Sequence, residues 1–230
     1  GERINGMFKD IKNAIINQDK KAVHDWAVKQ TENGAAWLDV NTGASAEDPL
    51  EAMKWLVNTI QEVVETPLAL DSTNYDVIEE GLKLCKRPAL INSCHADRYK
   101  IERVFPMAVK YNAKVIGLAM TEESGIPKNA DFRVALAMEL VAAADEFGLP
   151  FEDLYIDPLV QPISTDTDKG AMVLEAVRLI KGEFPEIHIT GGLSNISYGL
   201  PQRKIVNRTF LVLMMAAGMD SAILDPLDRK

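Results

Sequence analysis

The chain is poor in the residues that commonly carry enzyme chemistry. Its 230 residues include 3 histidines and 2 cysteines. His24, His95 and His188 stand far apart, so no pair has the spacing of a His-rich hydrolytic metal site. Cys85 and Cys94 also lack metal-ligand spacing and suit a reducing compartment. No Ser–His or Cys–His nucleophile arrangement suggests itself, and no metal is expected. No apolar run reaches the roughly 20 residues that a membrane helix needs. No secretory leader pattern opens the chain, and no Pro/Gly/Ser-rich linker or low-complexity tract interrupts it. These absences predict a cytoplasmic protein with no membrane partner, organised as a single domain over residues 1–230.

Basic runs are missing too. With 25 Lys plus Arg against 34 Asp plus Glu, the net charge is −9. A chain this acidic, without a segregated basic patch, is not expected to bind nucleic acid. Solubility and the steering of a partner are both served by such a charge. Gly1 and Glu2 run straight into what reads as a strand end, and Lys230 follows soon after another strand. A few residues in front and a helix behind are therefore expected to be missing.

What is present is a rhythm. Short apolar stretches at residues 36–40, 68–70, 89–91, 115–120, 154–156, 187–190 and 222–224 read as strands of a parallel sheet buried on both faces. Amphipathic segments at 21–32, 49–64, 74–85, 98–111, 131–147, 168–181 and 204–217 separate them. Pro49 suits a first helical turn, and Gly34 and Gly148 suit helix ends. With a truncated strand at 3–5 the count reaches about eight strand–helix units, the number that closes a TIM (β/α)8 barrel. The expected fold class is therefore α/β, such a barrel lacking part of its first strand and its last helix. An open doubly wound sheet is the competing architecture.

Active sites of such barrels lie at the carboxyl ends of the strands. The residues found there are Asn5, then Asp39 and Asn41, Asp71 and Ser72, Asn92 and Ser93, Asp157, Gly191 to Asn195, and Asp225. Asp, Asn and Ser also make helix caps and turns, and Asp131 and Asp168 are read as caps. Asp71, Asn92 and Asp157 sit directly at strand ends, which favours a binding role. No lysine stands at such an end, so a Schiff-base aldolase is not expected. His24 and His188 read as structural, while His95 lies on the rim. A pocket of Asp and Asn without base, nucleophile or metal suits a neutral heterocycle with several hydrogen-bonding edges, such as a pterin. A carboxylate accepts side by side from its 2-amino group and ring N–H, and Asn reads the mixed remainder.

The stretches Gly1-Glu2-Arg3-Ile4-Asn5-Gly6, Leu70-Asp71-Ser72-Thr73-Asn74, Ile91-Asn92-Ser93, Ile156-Asp157-Pro158, Gly192-Leu193-Ser194-Asn195-Ile196-Ser197 and Asn207-Arg208-Thr209-Phe210 resemble the pterin-binding family. Residues 138–150 bring the chain nearest, within it, to the methyltetrahydrofolate:corrinoid protein methyltransferases. The resemblance covers essentially the whole chain. It implies tetrahydrofolate or 5-methyltetrahydrofolate as substrate, cobalamin carried by a separate corrinoid protein, and a homodimer. It implies SN2 transfer of a methyl group between N5 of the folate and cobalt, in either direction. Asp71, Asn92 and Asp157 become pterin ligands by the same resemblance. Asn195 becomes the catalytic residue, close to N5. Tyr198, which stands where some relatives carry glutamine, and Arg203 would continue the folate site. Two alternatives stay open: a dihydropteroate synthase-like condensing enzyme, and a folate-binding module without turnover.

Overall fold

The computed structural model describes residues 1–43 and 46–228. Arg229 and Lys230, the end of the expected domain, lie outside the described residues. The elements alternate as β1 (Ile4–Asn5), α1 (Lys9–Asn17), α2 (Lys20–Glu32), β2 (Leu38–Asn41), α3 (Pro49–Ile60), β3 (Leu68–Asp71), α4 (Tyr75–Leu82), β4 (Leu90–His95), α5 (Arg98–Tyr111), β5 (Lys114–Leu118), α6 (Ala130–Phe147), β6 (Leu154–Asp157), α7 (Asp168–Glu183), β7 (His188–Ile189) and α8 (Arg203–Ala217). Every strand pairing with a described register is parallel.

The chain divides into two compact units. The first holds residues 1–93, 110–114 and the tail from Asp225; the second holds 94–109 and 115–224. In the first unit β1, β2, β3 and β4 pair in chain order. Leu38, Val40, Leu70 and Ile91 are fully buried there, as are Met53, Leu56, Val57 and Ile60 along one face of α3. Each such side chain contributes roughly 1.5–3 kcal/mol by leaving water. In the second unit β5, β6 and β7 pair in chain order, with Ile116, Ile156, Leu140, Val173, Val177 and Ile180 buried around them.

Helix starts follow their capping chemistry. Asp48 accepts from the backbone N–H of Leu50 and Glu51, with Pro49 next in line. Asn74 caps α4 by accepting from Asp76. The caps expected at Asp131 and Asp168 are corrected. Asn129 caps α6 by accepting from the Phe132 N–H, which leaves Asp131 inside the first turn. Thr167 stands at the cap of α7 and Asp168 is already helical, its own N–H bonded to Asp166. Gly148 ends α6 in the left-handed conformation, as expected.

Two further departures have plain causes. The helix α1 is not foreseen because it is only nine residues long and buries just Ile11 and Ala14. The eighth strand expected at 222–224 is reduced to one parallel bridge between Ile223 and Gly192. The Ile223 N–H donates to Gly191 O at 2.9 Å, and its carbonyl accepts from Leu193 at 3.4 Å. The partner strand β7 has only two residues, so no longer ladder forms on it.

Candidate functional site

Register builds the polar row of the first unit. Asn5 lies opposite Asn41, Asn41 opposite Asp71, and Asp71 opposite Asn92. Asp39 stands two residues before Asn41 and so shares its face of β2. Asn41 is used at both ends: Nδ2 donates to Asp71 Oδ2 at 2.7 Å, and Oδ1 accepts from the Gly43 N–H at 2.7 Å. Asn92 Nδ2 donates to Asp39 Oδ1 at 2.9 Å. That bond orients the Asn92 amide through its NH2 group. Asn5 closes a turn instead, accepting from the Met7 N–H at 2.9 Å.

These carboxyls hold their protons unusually tightly. Burial first, and then the neighbouring charge of Asp71, push the Asp39 carboxyl up to about 7, against the hydrogen bond from Asn92. Burial also raises Asp71, with the bond from Asn41 opposing it. The two carboxyls interact and so titrate as a pair, both holding their protons to higher pH than a free Asp.

The second unit carries the rest of the predicted residues. Asp157 ends β6, buried at 7% exposure, and its Oδ1 accepts from the Leu159 N–H at 2.7 Å. Burial pushes it up to about 6, while the N–H groups of Leu159 and Gly192 and the charge of Arg133 hold it down. Asn195 is exposed in a short 3-10 helix, Leu193–Ser197. A Cβ on Gly192 would lie 3.0 Å from Asn195 Nδ2, so glycine there leaves the amide its place. The segment is tied down on both sides: Ile163 N–H donates to Ile196 O at 3.1 Å, and Ser164 Oγ to Tyr198 O at 2.6 Å. Arg203 donates through Nε to Ser197 Oγ at 3.0 Å and through Nη2 to Ser194 O at 2.8 Å. The Tyr198 side chain stands in solvent.

His24 pairs with Glu62, and His188 stacks on Tyr155 while meeting Asp220 at 3.1 Å, both structural arrangements. The ring of His95 meets Lys100 Nζ through Nδ1 at 3.1 Å, and burial followed by the Lys100 charge holds its pKa below the ordinary value. Among the described residues, no group of three His, Cys, Asp or Glu side chains could hold a metal ion.

Sequence reasoning placed Asp39 and Asn41 at the end of β2 without assigning them to the site. The signal was their spacing of two, which puts both on one face. Arg133 was not noticed at all. It interrupts an otherwise apolar stripe of α6 formed by Ala130, Ala137, Leu140, Val141 and Ala144.

Parallel strands alternating with helices, with Asp71 and Asp157 at strand ends, define an α/β protein of the small-molecule enzyme class. The sequence model of the pterin binding enzymes matches residues 7–225, and the chain belongs to that family, whose fold is the TIM barrel. A methylcorrinoid:tetrahydrofolate methyltransferase of Eubacterium limosum is 37% identical over 230 residues, spanning 100% of this chain and 85% of the relative. Methionine synthases of Mycobacterium tuberculosis and Mycobacterium leprae are 30% and 29% identical, each over 97% of this chain and 20% of the longer relative.

Proposed function

We propose that this chain is a methyltransferase that moves a methyl group between N5 of tetrahydrofolate and the cobalt of a corrinoid borne by a separate protein. The observation that carries the reading is the 37% identity, over the whole chain, to the E. limosum enzyme that acts on a methylcorrinoid and tetrahydrofolate. A single family match running from residue 7 to 225 supports treating residues 1–230 as one domain.

In this reading Asp71 accepts from the donor edge of the pterin, and its bond from Asn41 holds the carboxylate in place. Asn92 contributes an acceptor oxygen, its amide NH2 being oriented by the bond to Asp39. Asp157 serves as a further pterin ligand. A pterin lacking its donors leaves such buried acceptors unpaired, which is the source of selectivity. Asn195 hydrogen-bonds N5. As the methyl group leaves N5, negative charge develops there, and a fixed amide donor stabilises it without being an acid. The proton that N5 finally takes comes from solvent. Tyr198 and Arg203 meet the aminobenzoyl-glutamate tail, for which the exposure of Tyr198 is suitable. Cytoplasmic residence and homodimerisation complete the proposal. Among the described residues no helix is long and apolar enough to cross a membrane. Light scattering decides the dimer, with a monomer mass counting against it.

The test is anaerobic spectrophotometry of the cobalamin band. Methyltetrahydrofolate is mixed with cob(I)alamin and the protein, then methylcobalamin with tetrahydrofolate. Exchange in either direction is expected, and the faster direction indicates the working one. Folate binding by calorimetry, without exchange to cobalamin or to a corrinoid protein, would replace the enzyme by a binding module. Absence of folate binding would overturn the reading.

A further inference from the structure

Among the described residues, Arg133 is the one arginine in the set of largest fully buried side chains, at 0% exposure. Its hydrogen bonds go to carbonyls and an amide, never to a carboxylate. Nη1 donates to Pro158 O at 2.7 Å and to Leu159 O at 2.8 Å. Nη2 donates to Gln161 Oε1 at 2.9 Å and to Pro127 O at 3.2 Å, and Nε to Pro127 O at 3.3 Å. Five bonds use all five guanidinium N–H groups. Burying a guanidinium is costly even with the charge of Asp157 nearby, so a fold keeps one where its bonds do something an apolar side chain cannot.

The segment it grips, residues 158–161, is unusual in its own right. Leu159 has φ +67°, a left-handed conformation that a residue with a Cβ resists. In that conformation its N–H points back to Asp157 Oδ1 at 2.7 Å. Pro158 has no N–H, so the next residue must supply the donor. The guanidinium holds the carbonyls on both sides of that N–H, those of Pro158 and Leu159. Lysine could not replace it, since a point ammonium lacks the planar fork that spans several fixed acceptors.

We propose that Arg133 is a positioning residue for folate binding: by gripping Pro158, Leu159 and Gln161 it holds the left-handed turn whose N–H orients Asp157. The proposal rests on the reading of Asp157 as a pterin ligand. Arg133 itself touches no ligand and acts through the loop. Its charge also helps keep Asp157 ionised, although the two make no direct bond.

Calorimetric titration of methyltetrahydrofolate into wild type, Arg133→Lys and the double variant Arg133→Lys/Leu159→Gly tests it. Arg133→Lys should weaken binding about tenfold or more. Leu159→Gly should restore much of the loss, because glycine takes the left-handed conformation without Cβ strain. A purely structural arginine would give no such rescue, and equal affinity in wild type and Arg133→Lys would overturn the proposal. Should Arg133→Lys fail to fold, Leu159→Val decides. It leaves the arginine in place but disfavours the turn, so folate affinity should fall with little change in melting temperature; unchanged affinity would count against the idea. If wild type binds no folate, the proposed function fails. The carboxyl titration of Asp157 by 13C NMR, assigned with Asp157→Asn, then decides the positioning role. Around this carboxyl stand the Leu159 and Gly192 N–H groups and the Arg133 charge. Arg133→Met should move its midpoint above the wild-type value of about 6, and an unmoved midpoint would refute the role.

Discussion

Asn92 on β4 donates its side-chain amide to the carboxylate of Asp39 on β2, at 2.9 Å, across the intervening strand β3. Ala69 makes the bond possible. It lies directly opposite Asp39 in the β2–β3 register, and its single methyl leaves room for two longer side chains to meet above it. The two polar residues thereby fix one another. Asp39 gains a donor inside an apolar setting, and Asn92 gains one orientation.

The unusual proton affinity of Asp39 gives a stability prediction with a definite sign. An unfolded Asp releases its proton near pH 4, whereas in the fold Asp39 holds it to about 7. Between those values the native state binds more protons than the unfolded state, so stability falls as pH rises. Asp39→Asn removes that penalty. Its melting temperature should exceed that of wild type at pH 8, by an amount corresponding to on the order of 2–4 kcal/mol, with the gap closing toward pH 4. Thermal unfolding of both proteins across that range is the check. A variant less stable than wild type at pH 8 and no less so at pH 4 would contradict the assignment.

Asp71→Ala and Asp157→Ala should each weaken pterin binding by about 1–3 kcal/mol, the cost of leaving a buried hydrogen-bonding group unpaired. Asp71→Ala also strands Asn41 Nδ2, which loses its acceptor at 2.7 Å. Calorimetry with methyltetrahydrofolate measures both. Unchanged affinity in the two variants would remove these residues from the binding site.

Asn195→Ala should separate binding from turnover. The amide lies exposed on a tightly anchored 3-10 helix, so its removal leaves the surrounding backbone bonds intact. A donor that acts on charge developing at N5 contributes to the transition state more than to the bound substrate. Methyl transfer is expected to slow about a hundredfold or more, with folate affinity changed only a few-fold. Parallel losses in both quantities would make Asn195 an ordinary ligand.

How much of this was legible depended on the distance over which the information travels. The apolar runs marked β2 to β7 to within a few residues, because a strand buried on both faces writes its burial directly into consecutive positions. The placement of Asp71 and Asp157 followed from the same runs, since each is the last residue of its strand. The pairing of Asp39 with Asn92 could not be read off, because the two are 53 residues apart and belong to strands that are not neighbours in the sheet. Arg133 was hidden for another reason. All but one of its acceptors are backbone carbonyls, which exist at every position and leave no mark in the sequence.

Gly6 is a position where the backbone itself forbids a side chain. A Cβ there would lie 2.2 Å from Thr42 O and 2.6 Å from Thr42 C, and backbone atoms cannot rotate away as a side chain would. The Gly6 N–H donates to Asn41 O at 2.9 Å, and Gly43 packs against Gly6 with φ +77°. The segments leaving β1 and β2 are therefore pressed together just where Asn41 reaches Asp71. Gly6→Ala should cost about 2–3 kcal/mol or more in urea unfolding through overpacking, and should weaken folate binding because Asn41 is displaced. Gly34→Ala is the contrasting case: its φ is positive, at +86°, and no atom lies within 4 Å of the added Cβ. That variant should lose only about 1 kcal/mol, the conformational cost alone, with folate affinity unchanged. Equal destabilisation by the two substitutions would mean that the close approach to Thr42 does not govern the first.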